Sequence, residues 1–199
     1  ISKGDRVAMM APNTLVFAVG MSGVIRAGGV QVNVNPLYSP SELKHQLKDA
    51  DVDQTPIRNI IVFGLDDLVN RGLPSPPVDT RLENTIEFTD ALAAGKSLPF
   101  EEPELNLDDL LFLQYTGGTT GLSKGAMLTH GNLVANILQF QSVDAGMIED
   151  GSEVVITAIP MYHIFALMVN TLSFFRRGEK NVLVTNPRDM ESFVKIWAA

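Results

Sequence analysis

In the stretch LQYTGGTTGLSKGAMLTH, Leu113 to His130, a single lysine, Lys124, stands among glycines and hydroxyl-bearing side chains. Glycine accepts positive φ and carries no Cβ, so the amides of Gly117, Gly118 and Gly121 can turn inward and approach a ligand closely. Successive inward amides form an anion nest, the hydroxyls of Thr116, Thr119 and Thr120 add neutral donors, and Lys124 adds one mobile positive charge. A polyphosphate whose charge moves during a reaction requires that combination.

Two common phosphate loops are excluded at named positions. The pattern G-x-x-x-x-G-K-[ST] needs glycine where Ser123 stands and a hydroxyl residue where Gly125 stands. The dinucleotide pattern G-x-G-x-x-G is not formed, because Gly117 is followed by Gly118, Thr119, Thr120 and Gly121.

The histidines offer less. His45, His130 and His163 are too widely separated to suggest a metal-ligand pattern, and no metal-binding residue is expected. His45 falls on a polar helix face and is expected to be solvated, while His130 opens the helix that follows the glycine-threonine loop. His163, within MYHIF, reads either as a hydrogen-bonded core residue or as a functional group beside an apolar pocket. The apolar run Ile164 to Phe175 reads likewise as core or as the wall of an acyl channel.

Composition narrows the field. The 199 residues are 45% hydrophobic and carry a net charge of -8, so phosphate backbones are repelled at long range and nucleic acid is not expected as a partner. Any anion site has to be built locally. The absence of cysteine excludes disulfides, thiolate metal sites and a cysteine nucleophile, and agrees with a cytoplasmic setting. Val7 to Ile25 is broken by Pro12 and Asn13, and Ile156 to Phe175 by Pro160, His163 and Asn170, so neither reads as a membrane span.

The elements that must position the loop follow from periodicity and caps. RVAMM, Arg6 to Met10, reads as a buried strand, with Asn13 as the N-cap of a helix from Thr14 to Ala27 that stops at Gly28 and Gly29. VQVNV, Val30 to Val34, alternates as a half-buried strand does. Ser39, Pro40 and Glu42 form a capping box with proline at the first helical position, starting a helix to Asp49. Asn59 to Phe63 is a strand, Gly72 to Thr80 a loop, Thr89 to Ala94 a helix, and Phe100 to Asp109 a solvated acidic connector. Leu110 to Tyr115 is the strand leading into the loop, and Gly131 to Val143 the helix after it, with Leu133, Val134, Ile137 and Leu138 on one face. Strands in EVVITA and NVLVT, a helix from Ile164 to Phe175 and a last helix from Asp189 complete the chain. This alternation predicts a layered α/β fold with a mainly parallel sheet and flanking helices.

Tyr115 to Asn132 closely resembles the phosphate-binding signature of the adenylate-forming (acyl-CoA synthetase) superfamily. The segments GDRVAMMAPN, RAGGVQVNVNPLYSPSELKHQLKDA, AIPMYHIFAL and NVLVTNPRD are similar to successive blocks of the bacterial long-chain fatty acid:CoA ligases. The resemblance implies an AMP-binding domain spanning residues 1–199, and activation of a long-chain fatty acid by ATP and Mg²⁺ to acyl-AMP, followed by thioester formation with CoA. It implies that Thr116, Gly117, Gly118, Thr119, Thr120, Gly121, Ser123, Lys124 and Gly125 hold the nucleotide phosphates. Lys124 would follow the departing pyrophosphate, and His163 would stand between the acyl pocket and the adenylate. An aryl or medium-chain acid:CoA ligase, a phosphotransferase releasing ADP and a non-catalytic nucleotide-binding module are the rival readings.

The same resemblance implies that the adenine and ribose contacts, the Mg²⁺ ligand and a distal catalytic lysine lie beyond Ala199. These residues would then be part of an N-terminal domain, inactive alone. In the family a strand and a helix follow the segment ending at Asp53, whereas this sequence passes directly into QTPIRNIIVF, which implies absent residues between Asp53 and Gln54. The resemblance leaves room for a homodimer and for peripheral contact at the inner face of a membrane. Acyl chain length is not encoded in any residue singled out above.

Overall fold

The structure, a computed structural model, describes residues 1–52, 57, 59–75, 77–116, 123–144 and 146–198. The junction of Asp53 with Gln54 lies outside the described residues, as do Gly117, Gly118, Thr119, Thr120 and Gly121. In chain order the elements are β1 (Arg6–Met10), α1 (Leu15–Arg26), β2 (Val30–Val34), α2 (Pro40–Asp49), β3 (Ile60–Val62), β4 (Thr85–Glu87) and α3 (Phe88–Gly95). They continue with β5 (Leu110–Thr116), β6 (Lys124–Thr129), α4 (His130–Val143), β7 (Val154–Thr157), a π-helix (Ala166–Ser173), α5 (Phe174–Arg176), β8 (Lys180–Leu183) and α6 (Met190–Ala198).

The main sheet has the order β1-β2-β5-β6, with the first three strands parallel and β6 antiparallel to β5. Two further parallel pairs, β3-β4 and β7-β8, complete the expected α/β layering. Val30, Val32, Val34, Leu113 and Tyr115 point to one face, where Ala50 at the end of α2 covers them. Phe112 points to the other, against Phe17 and Met21 of α1, Leu133 of α4, Met161, and Leu167 and Met168 of the π-helix. Leu111 joins that second cluster as well, because the β5-β6 register shifts between Leu110 and Phe112.

Local chemistry explains the element ends. The capping box of α2 forms as its residues predict: Glu42 N donates to Ser39 Oγ (3.4 Å) and Ser39 N to Glu42 Oε2 (2.7 Å). Gly28 ends α1 at φ +71°, with Leu105 and Pro103 3.2 Å from where a Cβ would stand. The cap of α1 differs from expectation: Thr14 takes it, its Oγ1 accepting from Phe17 N. Asn13 is buried instead and reaches across the fold.

Three other differences have tertiary causes. β2 alternates in sequence, yet all five of its residues are buried, because helices cover both faces of the sheet. Residues 124–129 read as part of a loop but form β6, since a weak strand former is captured by pairing with the buried β5. The run after Ile164 is helical as expected, but Ala166–Ser173 adopts π-geometry, with Thr171 Oγ1 donating to Ala166 O (3.0 Å) and Ser173 Oγ to Met168 O (2.8 Å). Ala166, Leu167 and Met168 are core residues of the second face. On α4 the predicted apolar face is only partly covered: Leu133 is buried, whereas Val134 and Leu138 are exposed. Among the described residues, no helix is long and apolar enough to cross a membrane.

Candidate functional site

Parallel strands deliver their following loops to one edge of a sheet, and ligands of open α/β folds bind there. Here β1, β2 and β5 deliver the turn at Ala11 to Thr14, the segment Asn35 to Ser39, and the loop after Thr116. β6 returns antiparallel to β5 after that last loop. Thr116 and Lys124 are paired across its mouth, with Tyr115 opposite Gly125.

The mouth is braced on both sides. Ser123 Oγ donates to the Thr116 carbonyl (2.7 Å), closing the hairpin stem directly below the loop. Tyr115 is buried, and its hydroxyl donates to Asp49 Oδ2 of α2 (2.6 Å). Burial and the Asp49 carboxylate hold that phenol well above its usual pKa, so it stays a protonated donor. A Cβ on Gly125 would stand 2.9 Å from the Tyr115 ring, so only glycine leaves room for it. Lys124 is exposed and makes no ion pair among the described residues. A cation that no described carboxylate pairs, on an acidic chain and next to a glycine-threonine segment, is available to an incoming anion.

His45 departs from expectation. It is half-buried, with Nε2 3.5 Å from the Ser123 carbonyl oxygen, so α2 touches both ends of the hairpin mouth. The contact is between elements far apart in sequence, and helical periodicity carries no signal for it. His130 occupies the first turn of α4, whose N-cap is Thr129, and burial lowers its pKa against the opposing pull of Asp109.

His163 lies on the turn after β7. Its ring is exposed and Nδ1 accepts from the Phe165 amide (3.3 Å), which leaves Nε2 as the protonated, donating nitrogen of the neutral ring. The backbone before it is gripped from two sides. Asn13 Nδ2 donates to the carbonyls of Thr157 (2.9 Å) and Ile159 (3.0 Å), and its Oδ1 accepts from Met161 N (2.7 Å). Gln114 Nε2, two residues before Thr116, donates to the Tyr162 carbonyl (2.9 Å). Asn13 read in the sequence only as a helix cap and Gln114 did not stand out, since a buried amide has no pattern of its own; an isolated polar residue within the apolar run of β5 is the one available hint.

Thr116, Ser123, Lys124 and Gly125 are therefore brought together at one mouth, and the His163 turn is tied to the same strand. A shallow cleft lined by Met147, Val154, Ile156, Phe174 and Trp197 along β7 includes none of these residues. Among the described residues, no group of three His, Asp or Glu side chains could hold a metal ion.

The family model of the AMP-binding enzymes matches residues 1–199, and the chain belongs to that family. It is 42% identical over 223 residues to a long-chain-fatty-acid–CoA ligase of Escherichia coli O157:H7, with 98% of this chain and 40% of that protein covered. A long-chain-fatty-acid–CoA ligase of Bacillus subtilis is 32% identical, with 84% and 35% covered. The crystal structure of a long-chain-fatty-acid-CoA ligase from Archaeoglobus fulgidus superposes with a TM-score of 0.70 at 26% identity, covering 94% of this chain and 36% of that one. The chain thus spans about 40% of the length of the first of these curated relatives.

Proposed function

We propose that the polypeptide carrying this segment joins a long-chain fatty acid to AMP at the hairpin mouth and then passes the acyl group to CoA. The observation that carries this reading is Lys124, without an ion pair among the described residues and held across from Thr116 at the mouth of the glycine-threonine segment. In the first step a carboxylate oxygen attacks the α-phosphorus of ATP and the bond to pyrophosphate breaks. Two anions must meet, so positive potential is needed where they approach and where pyrophosphate departs. Lys124 supplies it on one side, with the hydroxyls of Thr116, Thr119 and Thr120 and the amides of Gly117, Gly118, Gly121 and Gly125 around the phosphates, and Ser123 bracing the mouth below them. No cluster among the described residues would hold magnesium; brought in with the nucleotide, it would supply further positive charge to the phosphates.

In the second step the CoA sulfur attacks the acyl carbonyl and AMP leaves. His163, with its Nε2 proton available, donates toward the acyl-adenylate as it forms in the first step and holds it through the second. The setting is cytoplasmic, where ATP and CoA are held, with the fatty acid taken up at the inner face of a membrane. The long-chain assignment draws on the named ligases at 42% and 32% identity.

The test is acid-dependent exchange of pyrophosphate into ATP by the complete polypeptide. Exchange with long-chain fatty acids and release of AMP support the reading. Exchange with aryl or medium-chain acids alone moves the substrate, release of ADP replaces the chemistry, and no exchange with any acid leaves a binding module. The alignment with the Escherichia coli relative runs over 223 residues against a chain of 199, so gaps open along this chain, and we place them at the junction of Asp53 and Gln54 on the family resemblance. A mass of 21.6 kDa for the natural stretch from Ile1 to Ala199 would overturn that.

A further inference from the structure

A parallel sheet covered on both faces ordinarily presents aliphatic side chains to its core, yet one face here carries a row of amides. Gln31 Nε2 donates to Asn33 Oδ1 (2.7 Å), Asn33 Nδ2 to Gln114 Oε1 (2.8 Å), and Gln114 Nε2 to the Tyr162 carbonyl (2.9 Å). Asn33 and Gln114 are register partners on β2 and β5, and all three side chains are buried. The row is not closed, because Gln31 Oε1 is buried without a partner among the described residues. Stability alone does not call for such a row: buried hydrogen bonds return little net energy, an orphaned acceptor costs some of it back, and an apolar row of equal volume would serve as well.

What the row does achieve is positional. It runs in one direction and ends on a backbone carbonyl next to His163. At residue 114 the side chain has to accept from Asn33 and donate to Tyr162 O at once. Glutamine does both at this reach, whereas glutamate at neutral pH only accepts and leucine or methionine does neither as a donor. The same residue lies two positions before Thr116, the first residue of the nucleotide mouth. Asn13 fixes the turn from the β1 side through Thr157, Ile159 and Met161, which leaves Gln114 as the tie from the β5 side.

We propose that Gln114 is a positioning residue that sets the His163 turn at a fixed height against the strand carrying the phosphate-binding mouth. It acts through His163 and touches no substrate. This rests on the adenylating reading given above.

The experiment is a double-mutant cycle in the complete polypeptide, read by pyrophosphate exchange with whichever acid the unaltered protein accepts. Gln114→Met removes the bonds to Asn33 and Tyr162, together with the longer one from Nε2 to the Tyr115 carbonyl (3.4 Å), at nearly constant volume, and Gln114→Asn keeps an amide beside Asn33 that is one methylene too short for Tyr162. Each should lower the turnover of exchange by about 5- to 10-fold, as loss of one net hydrogen bond to the turn implies, with the KM for ATP changed less than about 2-fold. In the His163→Ala background the same substitutions should change turnover less than about 2-fold. An equal loss with and without His163, or a KM for ATP that rises in step with the loss, overturns the proposal and leaves Gln114 a packing residue. If Gln114→Met does not fold, Gln114→Asn carries the cycle. A protein that exchanges with no acid at all overturns the adenylating reading and this inference with it, and that outcome is distinct from exchange without coupling.

Discussion

Gly125→Ala puts the bracing of the hairpin mouth to a quantitative test. The new Cβ would stand 2.9 Å from Cε2 and Cζ of Tyr115 and 3.2 Å from its hydroxyl oxygen. Ordinary carbon contacts begin near 3.5 Å, so the ring has to move by about 0.6 Å. An unpinned ring would do so readily, but this one is held by its 2.6 Å bond to Asp49. Moving it that far stretches the bond to about 3.2 Å, beyond the useful range for O–H···O. The cost is then either overpacking, about 1 to 3 kcal/mol, or loss of a hydrogen bond to a charged partner, about 1.5 to 3 kcal/mol. A destabilisation of about 2 kcal/mol follows, equivalent to a fall in Tm of roughly 4 to 8 °C for a domain of this size. Urea and thermal unfolding of the complete polypeptide measure it. Tyr115→Phe removes the pin and the oxygen, so in that background Gly125→Ala should cost less than about 1 kcal/mol. A neutral Gly125→Ala, or an equal cost in both backgrounds, would refute the reasoning.

Other consequences are open to direct measurement. Lys124→Ala should slow pyrophosphate exchange by roughly 10- to 1000-fold while the unfolding midpoint stays put, because the side chain is exposed and unpaired; unchanged kinetics would remove it from the mechanism. Asn13→Ala leaves the Met161 amide and two carbonyls without their partner, and should lower stability by about 2 to 4 kcal/mol in denaturant titrations. His130 should titrate below the usual histidine value by NMR, since burial disfavours its charged form. The unfolded state then binds the proton more readily, so this contribution to stability is complete above about pH 6.5 and is lost as the pH falls below it. Asp109→Asn, which removes the charge that raises it, should push that midpoint lower still.

Much was legible in the residues themselves because it depends on neighbours in the chain. Ser39, Pro40 and Glu42 start α2 through contacts three residues apart, Gly28 stops α1 through its own φ, and short apolar or alternating runs mark β1, β2, β3, β7 and β8. The expectation of phosphate chemistry at the glycine-threonine segment and Lys124 rests on neighbours in the chain too, since a nest is built from consecutive residues. Tertiary structure alone decided the rest. It made residues 124–129 a strand by pairing them with β5, placed His45 of α2 beside Ser123, and buried both faces of β2 so that Gln31 and Asn33 had to find each other and Gln114. It also assigned Asn13 to a turn almost 150 residues away, leaving the helix cap to Thr14. Those contacts join residues whose separation in sequence is unrelated to any local period, so only the folded sheet, by fixing which elements lie side by side, could select them.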